Sequence, residues 1–175
     1  MQRRRVLAGA MGMIGAGLFG HAARASATGP RSLSLLNLHT GETLKSTFFE
    51  NGGYVPGALA AMDHLLRDFR TGDVHTIAPA LLDLVTTLTA RLETDQTVHV
   101  ISGYRSPKTN AALHERSDGV AAHSLHMDGM AMDIRIPGVE LAHLRDAALS
   151  LQRGGVGFYP GSDFVHVDVG RVRRW

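Results

Sequence analysis

Cysteine is absent from this chain of 175 residues. Its absence excludes disulfides and any structural zinc site closed by thiolates. Pairs of histidines in the H-x-x-x-H arrangement are absent too, which excludes a metal site carried on one helix face. No internal repeat, linker or low-complexity run interrupts the sequence after its amino-terminal segment. Long apolar runs are also missing. The most apolar stretch follows Arg5, and its roughly 14 apolar residues, broken by glycines, are too few to span a bilayer.

That first segment reads as an address. Arg3-Arg4-Arg5-Val6-Leu7 sets a twin arginine before a weakly apolar, glycine-rich stretch, and Ala25-Ser26-Ala27 supplies small residues for cleavage. Met1 to Ala27 is therefore expected to be a Tat-type signal peptide, with export to the periplasm and no stable membrane anchor after cleavage. The domain is then 28–175. Four arginines and no acids leave with the signal, so Lys+Arg falls from 18 to about 14 against 16 acids, a net charge of about −2. The high pI thus comes largely from the signal, and no basic patch calls for nucleic acid. Arg171, Arg173 and Arg174 are the exception, a cluster suited to an anionic surface.

The rest of the chain is long enough for one self-sufficient core. Arg31 to Leu38 and Thr43 to Phe49 read as a hairpin around His39-Thr40-Gly41-Glu42. Helical stripes follow over Pro56 to Phe69 and Ala78 to Leu92. Thr97 to Ser102 suits a central strand, and Pro107 to about Glu115 a short helix. Arg116 to His123 has no period and reads as a loop. Gly138 to Gln152 is a third long helix, and Val156 to Tyr159 a short strand before a Pro160-Gly161 turn. The expected class is α+β, a small antiparallel sheet with helices packed around it.

Two stretches carry chemistry. From Ala131 to Ile136, Met132, Ile134 and Ile136 alternate with Ala131, Asp133 and Arg135. From Phe164 to Val169, Val165, Val167 and Val169 alternate with Phe164, His166 and Asp168. A period of two means strand, and a polar set on one side means that face meets water or a ligand. Neighbouring strands would bring Asp133 and His166 together, and His126 would join them from the loop before Gly129. Two imidazoles and one carboxylate suit a catalytic zinc that leaves a fourth position open. Asp168, two residues beyond His166 on the same face, is placed to accept a hydrogen bond from that imidazole and fix its tautomer. Ser124 is a candidate for contacting substrate or steadying the loop. Tyr104 either lines the cleft or caps the core. Of the ten histidines, only His123, beside the site loop, shares its neighbourhood with the ligand set.

Ser124-Leu125-His126-Met127-Asp128-Gly129-Met130-Ala131-Met132-Asp133 resembles the S-x-H-x-x-G-x-A-x-D signature of the LAS metallopeptidases. That group holds D-Ala-D-Ala carboxypeptidases, related dipeptidases and hedgehog-like domains. Asp163-Phe164-Val165-His166 matches their second motif, an acid three residues before the last histidine. With Ser102-Gly103-Tyr104-Arg105-Ser106 and Phe164 to Trp175, the run from Val98 onward is most similar to the MepK-like murein endopeptidases. The resemblance implies a hedgehog/DD-peptidase-like fold, a Zn2+ cofactor and peptidoglycan stem peptides as substrate. It implies that Arg105 neutralises negative charge developing on the substrate. Asp163 is the candidate general base, taking a proton from water and handing it to the departing amine. The resemblance places a Glu here in the VanX-like dipeptidases and an Asp in several peptidoglycan endopeptidase branches, and the shorter Asp needs its loop to come closer to the metal. A carboxypeptidase or dipeptidase of the same family, or a non-catalytic zinc-containing binding domain, are the alternatives.

Overall fold

The computed structural model describes residues 29–116 and 121–175, so the expected signal peptide and part of the loop before His123 lie outside the described residues. In chain order the strands and helices are β1 (Arg31–Asn37), β2 (Thr43–Glu50), β3 (Gly53–Tyr54), α1 (Pro56–Leu65), α2 (Pro79–Arg91), β4 (Val98–Ser102), α3 (Pro107–His114), β5 (Ala131–Arg135), α4 (Leu141–Leu151), β6 (Gly155–Tyr159), β7 (Phe164–Asp168) and β8 (Arg173–Arg174). The class is α+β, as expected. The sheet is larger than expected, eight strands in the order β3-β2-β1-β4-β5-β7-β6-β8, and it is mixed. β1 pairs parallel with β4, and β6 with β8. The crossover containing α1 and α2 returns the chain beside β1 in the same direction, which a hairpin cannot do.

Alternation in the central strands sorts the core from the site. Leu33 and Leu35 of β1, Val98 and Val100 of β4, Met132 and Ile134 of β5, and Val165 and Val167 of β7 are all buried. They join one apolar cluster with Met62 and Leu65 of α1, Leu81, Val85 and Leu88 of α2, and Leu144 of α4. Each such side chain stabilises the fold by roughly 1.5–3 kcal/mol. A one-residue slip of β5 would send Met132 and Ile134 to the other face, so the register of Asp133 is held by this core. Among the described residues, no helix is long and apolar enough to cross a membrane.

Two helices are shorter than their stripes suggest. α1 stops at Leu65, where Asn37 Nδ2 donates to the Leu65 carbonyl at 2.9 Å and Tyr104 N to the Leu66 carbonyl at 2.7 Å. These bonds occupy carbonyls that a helix end leaves free. Beyond them Asp68 turns inward and is 1 % exposed. Its carboxylate accepts from Ser106 N at 2.9 Å and Ser106 Oγ at 2.6 Å. Ser106 in turn caps α3 by accepting from Thr109 N. The end of α1 therefore supports the turn that carries Arg105. Gly103 permits this approach, because a Cβ there would lie 2.5 Å from the Leu66 carbonyl oxygen. α4 starts at Leu141 because Val139 N closes a turn on Ile136 O and Glu140 is extended, with ψ 132°.

Candidate metal centre

β5 and β7 pair antiparallel with Asp133 directly opposite His166. His126 arrives on a 3-10 turn over Leu125–Asp128, not on an irregular loop, and Ser124 caps that turn by accepting from His126 N. The His126 carbonyl accepts from Arg105 N at 3.1 Å, which joins the turn to the loop after β4. All three expected ligands are buried, with 2–7 % of their surface exposed. His166 Nδ1 lies 2.8 Å from Asp133 Oδ1 and 3.2 Å from His126 Nε2, and the latter is 3.2 Å from the same carboxylate oxygen.

The outer ring nitrogens decide what those inner atoms can be. His126 Nδ1 lies 2.7 Å from the Gly103 carbonyl, which can only accept, so that nitrogen carries the proton. His166 Nε2 lies 3.1 Å from Asp168 Oδ2 and donates to it. A neutral ring donating outward turns a lone pair inward. Two imidazole lone pairs and a carboxylate oxygen then face one point, an arrangement that needs a cation. Without one, a proton must serve. Burial opposes charge on His166, yet Asp133 and Asp168 outweigh it and raise its pKa above the ordinary histidine value. Burial likewise pushes Asp133 up, but His126 and His166 prevail and hold it well below the usual carboxylate range. Nitrogen and carboxylate donors with both imidazoles braced from behind fit a divalent metal.

Asp168 is itself held firmly. It is fully buried and accepts from Gly155 N at 2.9 Å, Gly170 N at 2.8 Å and Arg173 Nη2 at 2.8 Å. Arg173, read in sequence as part of an anionic-surface cluster, is instead committed to this carboxylate. Arg105 is mostly buried, with Nη2 3.6 Å from Asp133 Oδ2 and Nη1 3.4 Å from Asn110 Oδ1. Its Nε is buried and has no partner among the described residues. Asn110 also donates to the carbonyls of Ala121 and Ala122 at 3.1 Å, tying α3 to the segment before His123.

A cavity of about 470 Å³ opens over the three ligands. Arg105, His123, Ser124, Tyr159, Phe164 and Trp175 are among the residues that line it. Two candidates are not brought there. Tyr104 packs against the core and stacks on His75, ring centroids 4.7 Å apart, so it does not line the cleft. Asp163 does not line the cavity but sits at its rim, between Ser162 and Phe164, which do, and its exposed carboxylate forms an ion pair with Arg135. The residue ends the 3-10 turn Pro160–Ser162 in a left-handed conformation, φ 54°, and Arg135 on β5 captures the outward carboxylate. Asp68, Asn110, Arg135 and Trp175 were not singled out in sequence. Each acts through a partner that the fold brings to it, and no local pattern announces it.

Comparison with known proteins adds to this geometry. The family model described as "Peptidoglycan L,D-endopeptidase MepK" (Peptidase_M15_2) matches residues 25–175. The peptidoglycan L,D-endopeptidase MepK of Escherichia coli K12 is 49 % identical over 146 residues, covering 83 % of this chain and 80 % of that protein. A probable peptidoglycan L,D-endopeptidase MepK of Haemophilus influenzae is 44 % identical over 147 residues, covering 83 % and 79 %.

Proposed function

The chain belongs to the M15 peptidase family described as peptidoglycan L,D-endopeptidase MepK, and from that premise we propose that it is a zinc-dependent enzyme cleaving the peptide cross-links of peptidoglycan. It is a peptidoglycan hydrolase of the metallopeptidase class, a murein endopeptidase like its relatives. The observation that carries the reading is the convergence of His126 Nε2, Asp133 Oδ1 and His166 Nδ1 beneath an open cavity.

In this proposal those three atoms hold the metal. Zinc there supplies Lewis acidity to the scissile carbonyl and to water. The Gly103 carbonyl and Asp168 keep the two rings aimed inward. Arg105, anchored beside Asp133, offers fixed positive charge to the oxygen that becomes anionic during attack. Asp163 takes a proton from the attacking water and delivers it to the departing amine. Its carboxylate must leave Arg135 to do so, and catalytic hydrogen bonds commonly tighten only when substrate is bound.

A carboxypeptidase would need a cation free to hold a terminal carboxylate. Of the two arginines lining the described cavity, Arg173 is bonded to Asp168 and Arg105, beside Asp133, is assigned to the reacting oxygen, which leaves neither for a terminal carboxylate. That favours an endopeptidase. Digestion of purified murein tests this, with products separated as muropeptides before and after chelation and zinc repletion. Loss of cross-linked dimers that stops with chelator and returns with zinc is expected; release of single terminal residues alone would contradict it. Export by the Tat route completes the proposal and rests on Arg3-Arg4-Arg5. Replacing all three by Lys should leave precursor in the cytoplasm, and normal periplasmic delivery would refute it.

A further inference from the structure

Part of the cavity wall, formed by Tyr159, Phe164 and Trp175, is aromatic. Phe164 and Tyr159 stack with ring centroids 4.6 Å apart, and Trp175 Nε1 donates to Tyr159 Oη at 2.6 Å. The indole lies 5.2 Å from the His166 ring, centroid to centroid, so it borders the reacting centre. Its place is built by the strands. Trp175 N donates to Val156 O and Phe158 N to Trp175 O, which pins its backbone beside β6. Gly157, directly opposite His166 in the β6–β7 register, makes room for the ring. A Cβ at Gly157 would lie 2.7 Å from Trp175 Cε2 and 2.8 Å from Tyr159 Cε2. The Arg173 guanidinium, held by Asp168, sits 4.9 Å from the indole centroid.

For all these anchors, Trp175 remains 50 % exposed as a residue, and it lines the cavity over the ligands. A side chain buried to shield His166 would be covered, and a loose surface side chain would not be fixed at both backbone and ring nitrogen. A large apolar surface that is ordered in advance and left open loses little entropy when something stacks on it. We propose that Trp175 is a specificity-determining residue of the cleft, its indole being the stacking surface for the cell-wall peptide arm beside the scissile bond. This rests on the endopeptidase reading. The group received is a peptide plane or the aliphatic stem of a side chain. Among the described side chains named for this wall the charged one, Arg173, is already paired with Asp168, so the recognition is by apolar contact and shape.

Trp175 is the sole tryptophan of the chain, so its fluorescence reports on this wall alone. The zinc-loaded protein is titrated with an un-cross-linked disaccharide-tetrapeptide, and a saturable change in emission is expected. In parallel, cleavage of cross-linked muropeptide dimers is measured for Trp175→Ala and Trp175→Phe. Trp175→Ala should raise KM roughly 10-fold or more while kcat stays within about 3-fold and bound metal is unchanged, and Trp175→Phe should regain most of the loss. A KM within about 2-fold of the parent would overturn the proposal. So would an unchanged emission at tetrapeptide concentrations that inhibit cleavage, or loss of metal together with activity and no recovery by Phe. If the parent protein leaves cross-linked dimers intact, the endopeptidase reading fails, and the emission titration still decides whether the indole meets cell-wall peptide.

Discussion

The floor and the rim of the cavity are built on different terms. On the floor, His126, Asp133 and His166 are buried, and the Gly103 carbonyl and Asp168 brace the rings from behind. On the rim, Asp163 has 62 % of its side chain exposed and forms an ion pair with Arg135. The floor is preorganised. Its cost in buried polar groups is offset because each outer nitrogen has a partner and the inner lone pairs await a cation. The rim is only loosely held: an exposed ion pair contributes about 0–1 kcal/mol, so substrate can rearrange Asp163 cheaply. Holding a metal requires a fixed constellation, whereas passing a proton between water and a leaving amine requires a group able to move.

The largest expected effect breaks the floor. His166→Ala removes one metal donor and the ring N–H that donates to Asp168, and metal analysis should find near-complete loss together with loss of cross-link cleavage. A full equivalent of zinc retained by that variant would mean the ligand set is wrong. Behind the floor, Asp168→Asn sharpens the comparison. His166 keeps its place on β7 but loses a charged acceptor, so zinc affinity should fall by roughly 10- to 100-fold. Equilibrium competition with a chelator checks this, and unchanged affinity would show that the Asp168 carboxylate does not orient the ring.

A smaller effect lies beneath the Arg105 loop. Burial raises the Asp68 carboxyl pKa, but the Ser106 hydroxyl, Thr109 and the backbone amides outweigh it and bring it down to about 2. A carboxyl whose folded pKa lies below its unfolded value of about 3.9 stabilises the fold while ionised. Its contribution, on the order of 2 kcal/mol, is fully present above about pH 4 and is lost as pH falls through about 2. Asp68→Asn should therefore lower stability most near neutrality, with the gap from the parent closing between about pH 4 and pH 2. Denaturant unfolding across that range is the check, and a gap independent of pH would contradict it.

The contrast between floor and rim also explains what was legible in the sequence. Asp133 and His166 could be placed opposite each other because both strands alternate with period two and each buries its apolar set. Asp168 followed from the same face. The hairpin, the helical stripes and their order were likewise readable. Asp163 was not, since its direction is set by Arg135, 28 residues away, and no local period encodes an ion pair. The early end of α1 was hidden for a similar reason. Asn37 and Tyr104 claim the carbonyls that would have continued it, and both are remote in sequence. Tyr104 could have faced either way by sequence, and in the fold its ring stacks on His75, 29 residues earlier in the chain.

The division of labour between floor and rim is tested most directly by Asp163→Asn, assayed for zinc content and cross-link cleavage in the same preparation. The amide is nearly isosteric but cannot take a proton from the attacking water. The account predicts a full equivalent of zinc with cleavage lower by roughly 100- to 10,000-fold. A zinc-loaded Asp163→Asn protein that cleaves cross-links at the parent rate would contradict it and move the proton-accepting role to another residue, with His123 on the cavity wall the next to test.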